Sequence, residues 1–159
     1  MNIKILCVGK IKEKFYRDAI AEYEKRLSRY CKLAVIEVAD EKTPDRSSEA
    51  EELQIKEKEA GRLLAHIRDN DYVIALAIDG KSPDSVAFAE HLQQLAVSGR
   101  SSIAFVIGGS LGLHTSVLQR ADEAVSFSAM TFPHQLMRVI LLEQLYRSYR
   151  IINHEPYHK

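Results

Sequence analysis

Three glycines in five residues, Gly108-Gly109-Ser110-Leu111-Gly112, follow an apolar run that ends at Ile107. Lacking Cβ atoms, such a turn lets backbone N–H and C=O groups touch a bound molecule and reaches φ > 0 without strain. Fourteen residues past Gly112 a second loop begins, Ser126-Phe127-Ser128-Ala129-Met130-Thr131-Phe132-Pro133-His134-Gln135. It is small and polar until Pro133, which fixes φ and starts an apolar helix. Two loops of this kind, each between a strand and a helix, form a ligand cradle at one edge of a parallel sheet.

Other chemistries compete for the same residues. The segment 108–112 satisfies G-x-S-x-G, the nucleophile elbow of α/β-hydrolases, and Asp122 and His134 follow Ser110 in the order those enzymes use. No HGGG-type oxyanion segment is present and little chain follows Ser110, so a small serine esterase using Ser110 ranks well behind a glycine turn built for close approach. A dinucleotide site needs G-x-G-x-x-G at the first β–α turn, which here reads Val8-Gly9-Lys10-Ile11-Lys12. No Walker A lysine with its Ser or Thr follows the glycines either. His66 and His91 fall in amphipathic helices and read as solvated surface residues; His114 is either a turn residue or a ligand contact; His134 opens the last helix. The terminus Asn153-His154-Glu155-Pro156-Tyr157-His158-Lys159 either frays, as tails do, or presents groups that stack, donate and titrate.

The elements that would position these loops are legible from apolar periodicity. Ile3 to Val8 is strand-like and ends at Gly9, and Phe15, Ala19, Ile20, Tyr23 and Leu27 recur at helical spacing. Leu33 to Val38 predicts a second strand, and Ser48 with Glu51 predicts a capped helix reaching about Arg68. Tyr72 to Ile78 is a third strand, after which Asp79-Gly80 is expected to turn the chain into a helix marked by Val86, Phe88, Ala89, Leu92, Leu95 and Ala96. Ser102 to Ile107, a short helix from Thr115 to Arg120, a strand near Ala124 to Phe127 and a helix from His134 to about Ile152 complete the series. Strands alternating with helices predict an α/β fold, a parallel sheet with helices on both faces.

A chain of 159 residues fits one domain, 1–159, large enough to bury a core without disulfide or metal. Twenty-two basic and twenty-two acidic side chains cancel, which removes long-range attraction to polyanions. Residues 1–32 nevertheless hold nine Lys or Arg against four acids, and residues 33–71 hold six against eleven, so a nucleic acid would meet the ends of the chain. Cys7 and Cys31 suit a reducing cytoplasm, no Cys/His cluster suggests a metal, and no apolar run is long enough for a membrane. The last helix is apolar nearly all round, which calls for cover on more than one side. A homodimer would supply it, with Leu141 and Leu145 expected at the interface.

The glycine loop Val106 to His114, the loop Ser126 to Gln135, the segment Glu143-Gln144-Leu145-Tyr146-Arg147, the terminus Pro156-Tyr157-His158-Lys159 and the opening Val8-Gly9-Lys10-Ile11-Lys12-Glu13 together resemble the RlmH family. These are SPOUT-class methyltransferases. The resemblance covers essentially the whole chain and implies a C-terminal trefoil knot that binds S-adenosylmethionine. It further implies transfer of the methyl to N3 of a pseudouridine in helix 69 of 23S ribosomal RNA, in the assembled ribosome. Carried across by motif, the cofactor would be lined by Leu76, Gly108, Phe127, Ser128, Ala129, Met130, Thr131 and Phe132. Arg138, Arg147, Tyr157 and His158 are the candidates for holding the base or moving its proton. A non-enzymatic ribosome-binding factor is the third reading, after the methyltransferase and the esterase.

Overall fold

The computed structural model describes residues 1–159, with five strands and five helices in strict alternation. They are β1 (Asn2–Val8), α1 (Lys14–Leu27), β2 (Lys32–Val38), α2 (Glu49–Leu64), β3 (Tyr72–Lys81), α3 (Ser85–Val97), β4 (Ser102–Ile107), α4 (Thr115–Arg120), β5 (Glu123–Val125) and α5 (His134–Ile152). The sheet order is β2-β1-β4-β3-β5, parallel throughout. Alternating residues of each strand split between two cores. Ile3, Ile5, Ile103, Phe105 and Ile74 pack with Ile20, Phe88, Leu92 and Leu141, beneath α1, α3 and α5. Leu6, Val8, Ala104, Val106 and Val73 pack with Ala60, Leu63 and Val117, beneath α2 and α4. This is the two-sided cover that near-continuous apolar strands require.

At the amino edge of the sheet, buried Asp71 joins three strands. It accepts from Lys4 Nζ at 2.7 Å, Ser102 Oγ at 2.7 Å and Arg68 N at 2.8 Å. Helix α2 starts as its capping residues predict, with Ser48 Oγ accepting from Glu51 N at 3.2 Å, but it stops at Leu64, short of Arg68.

Three expectations are corrected. Asp79-Gly80 is not a turn: β3 runs on to Lys81, which pairs with Val125 after a register shift and accepts from Ser126 N at 2.7 Å. Gly80 is what allows it, since a Cβ there would lie 2.6 Å from the Ala124 carbonyl carbon. β5 ends at Val125, which leaves Phe127 in the following loop. Leu141 and Leu145 face inward and are wholly buried within the single chain. The half-covered stripe of α5 is instead Leu136, Ile140, Glu143, Arg147 and Ile151, spaced three to four residues apart on one side of the helix.

Candidate functional site

The carboxyl ends of β3, β4 and β5 open into a cleft of about 790 Å³, walled by residues 76–79, the glycine loop, the loop after β5 and the first turn of α5. That volume falls in the range of small-molecule and cofactor sites. The glycine loop closes on itself, with Gly109 bridging Gly112 and Gly112 N donating to Gly109 O at 3.0 Å. A Cβ on Gly108 would meet the Gly112 carbonyl carbon at 2.7 Å, and Gly112 sits at φ +84. Glycine is therefore required at both positions, by close approach at one and by backbone conformation at the other.

The loop after β5 holds its own shape. Ser126 Oγ donates to Ser128 O at 3.0 Å, and Ser128 Oγ accepts from Met130 N at 2.9 Å. Phe127 is anchored edge-on against Phe88, with centroids 5.7 Å apart, while Met130 is largely exposed. Of the eight residues expected around a cofactor, Leu76, Gly108, Phe127, Ser128, Met130, Thr131 and Phe132 line this one cleft. Ala129 does not line it and is exposed.

The four candidate catalytic residues do not come together. Arg138 is 1% exposed; its Nη1 pairs with Glu37 at 2.6 Å, and its Nη2 donates to Val8 O at 3.0 Å and Gly9 O at 2.7 Å. It clamps the ends of β1 and β2. Arg147, Tyr157 and His158 gather instead around Glu143. Arg147 Nη2 lies 2.6 Å from Glu143 Oε1, Tyr157 OH donates to the same oxygen at 3.1 Å, and Arg147 Nη1 lies 3.1 Å from His158 Nδ1. Tyr157 packs edge-on against Tyr146, with centroids 4.9 Å apart, so the tail is docked on α5. The hydrogen bond to Glu143 raises Arg147 above its ordinary value, and burial followed by the Glu143 charge raises Tyr157. Both keep their protons at neutral pH. Arg147 lies ten residues beyond Met137, the last cleft residue on α5, which is about 15 Å along a helix rising 1.5 Å per residue.

The esterase triad is not assembled. Asp122 Oδ2 accepts from Val73 N at 2.8 Å near the amino end of β3, whereas Ser110 lies beyond the carboxyl end of β4. His114 resolves as a capping residue, its ring nitrogen accepting from Ser116 N at 3.1 Å. His91 is not merely solvated, since its Nε2 lies 2.6 Å from Glu123 Oε2.

A family model described as "Predicted SPOUT methyltransferase" matches residues 1–158. The chain belongs to this SPOUT methyltransferase family. It is 61% identical over 159 residues to "Ribosomal RNA large subunit methyltransferase H" of Clostridium novyi and 60% identical to the protein of that name in Bifidobacterium adolescentis, with all of each chain covered. A probable methylase family protein of Haemophilus influenzae superposes with a TM-score of 0.50 at 13% identity, over 99% of this chain and 70% of the other, which shows a shared fold.

Three features of this SPOUT chain escape the sequence reading. Asp79 stands on the cleft wall as its one carboxylate, because β3 continues past Ile78. Glu59 of α2 is 5% exposed and lies under the glycine loop, its Oε1 3.3 Å from where a Gly109 Cβ would be; burial raises it above the ordinary carboxylate range. His134 has its Nδ1 buried without a partner, and burial and then Arg138 lower it below the usual histidine value, so the ring is neutral at pH 7. No sequence spacing links Asp79 or Glu59 to the glycine loop, and none shows that His134 Nδ1 is buried.

Proposed function

We propose that this protein transfers the methyl of S-adenosylmethionine to N3 of a pseudouridine in large-subunit ribosomal RNA, on the assembled ribosome in the cytoplasm. The observation that carries the reading is the cleft at the carboxyl edge of the sheet, where seven of the eight expected cofactor residues meet. The fit is local and chemical. The glycine loop brings backbone to the cleft wall, Leu76, Phe127 and Phe132 supply apolar wall, and Asp79 offers the one negative charge for a cationic donor. When bound, S-adenosylmethionine supplies an electrophilic methyl, whose bond to sulfur breaks as the bond to N3 forms.

The chain must then orient the base in line with that methyl and take the N3 proton. Tyr157 can stack on a base and His158 can hydrogen-bond to it, while Arg147 and Lys159 meet phosphate. Arg138 acts through position, holding the β1 and β2 ends beside the start of α5. Because the tail cluster is about 15 Å from the cleft along its own helix, the tail of a second subunit serves each cleft. The half-covered stripe Leu136, Ile140 and Ile151 supports a homodimer joined through α5.

Two measurements test the reading. Calorimetry should detect binding of S-adenosylmethionine, and mass spectrometry of ribosomal RNA should show a methylated pseudouridine only in cells that carry the gene. Cofactor binding with an unaltered RNA modification pattern would remove the assigned substrate; no cofactor binding would remove the enzyme.

A further inference from the structure

A second pocket of about 490 Å³ lies beside the cofactor cleft, between the carboxyl ends of β1 and β2 and the start of α5. It shares His134 and Gln135 with the cleft, so the two spaces meet at those residues. Gly9, at φ +87, holds the gap open: a Cβ there would stand 3.8 Å from both Asp40 and His134 Cε1. The carboxylates of the pocket differ in their engagements. Glu37 is bound by Arg138 at 2.6 Å and by Ile11 N at 3.2 Å, whereas Glu13 and Asp40 are exposed and unpaired, and of these two Asp40 lies nearest the Gly9 gap and His134. Lys10 and Lys12, both exposed, line the same opening. The orphaned Nδ1 of His134 leaves an unmet polar group where the two spaces meet, a cost that a ligand relieves.

We propose that this pocket is the nucleotide subsite, taking the base to be methylated, with Asp40 accepting a ring N–H and Lys10 and Lys12 meeting the flanking phosphates. The inference rests on the RNA methyltransferase reading above and deepens it to base selection. Pseudouridine is linked to its sugar through carbon, so its ring keeps an N1–H that uridine lacks. N1 and N3 flank the same carbonyl carbon, and a base whose N3 faces the cofactor cleft can direct N1–H to a carboxylate on the pocket side. Asp40 then has a donor to meet in pseudouridine and none in uridine. A site built to hydrogen-bond a substrate N–H discriminates strongly against the analogue without it.

The test compares wild type, Asp40→Ala and the double variant Lys10→Ala/Lys12→Ala on ribosomes that carry pseudouridine or uridine at the target. Cofactor affinity is measured by calorimetry and transfer by labelled methyl. Asp40→Ala should hold its cofactor affinity, which also certifies folding, and lose about 10- to 100-fold in kcat/KM on pseudouridine ribosomes, the loss expected for a charged hydrogen bond. Its rate on uridine ribosomes should barely change, so its preference shrinks. The lysine variant should bind both ribosomes more weakly, with a salt dependence lower by about two charges. An Asp40→Ala protein with wild-type rate and preference overturns the base assignment, and an unchanged salt dependence overturns the phosphate contacts, in either case with the methyltransferase reading intact. Wild type that neither binds the cofactor nor methylates ribosomes overturns both together.

Discussion

Adding one methyl group at Gly108 tests the glycine loop as the proposed cofactor cradle. The Ala Cβ would sit 2.7 Å from the Gly112 carbonyl carbon, 2.8 Å from its oxygen and 3.1 Å from Leu113 N. Carbon pairs are at ease near 3.5–4.0 Å, so the loop must open by roughly 1 Å. All three opposing atoms are backbone, and none can move by changing rotamer. Strand β4, which leads into Gly108, is buried on both faces and cannot yield, so the glycine loop itself must shift. Overpacking of this kind costs about 1–3 kcal/mol. Charged to cofactor binding, that is a roughly 5- to 100-fold rise in Kd by calorimetry. Gly61 provides the control. It lies exposed inside α2 with nothing within 4 Å of its would-be Cβ, so Gly61→Ala should stabilise the protein by about 0.5–1 kcal/mol and leave the cofactor Kd unchanged. A folded Gly108→Ala protein with wild-type cofactor affinity would refute the placement of the cofactor against this loop.

Asp71→Asn should destabilise the protein by about 1–3 kcal/mol at pH 7, through the loss of charged hydrogen bonds. Burial pushes the Asp71 carboxyl up, but Lys4, Ser102 and Arg68 N outweigh it and hold the carboxyl below its ordinary value. A group depressed in the folded state contributes its stability above the unfolded value, near 4, and loses it as pH falls through the folded value. Urea unfolding across pH 2–6 should thus show part of the acid sensitivity of wild type missing from the variant; parallel curves would count against the assignment. Removing residues 157–159 should preserve cofactor affinity and the dimer while abolishing methylation of ribosomes, and a truncated protein working at the wild-type rate would reduce the tail to a structural flap. Leu136→Lys with Ile140→Lys should give a folded monomer by sedimentation because both lie on the half-covered stripe, whereas Leu141→Lys should unfold the chain from within. A double variant that remains dimeric would move the interface off α5.

The sequence by itself determined the elements and the loops, because the relevant signals are local. Alternation of compact apolar runs with 3.6-residue periodicity marks strands and helices, and Gly, Pro and Ser at fixed offsets mark the turns. For that reason the glycine loop and the loop from Ser126 were legible as ligand loops, whereas the lining at 76, 108 and 127–132 was implied by the family resemblance, and only Ala129 falls outside it. Local signals say nothing about what a residue meets across the sheet. The order β2-β1-β4-β3-β5, the continuation of β3 past Asp79-Gly80, and the inward turn of Leu141 and Leu145 follow from pairing and packing between distant segments. Arg138 reads in sequence as a cation available to substrate, and it became an interior clamp because Glu37 and two carbonyls, more than 100 residues away, surround it. The second pocket is the clearest case of the same kind. Gly9 and Asp40 belong to two separate β–α connections and His134 to the first turn of α5, and only the parallel sheet, by bringing the carboxyl ends of its strands to one edge, places them around a common space.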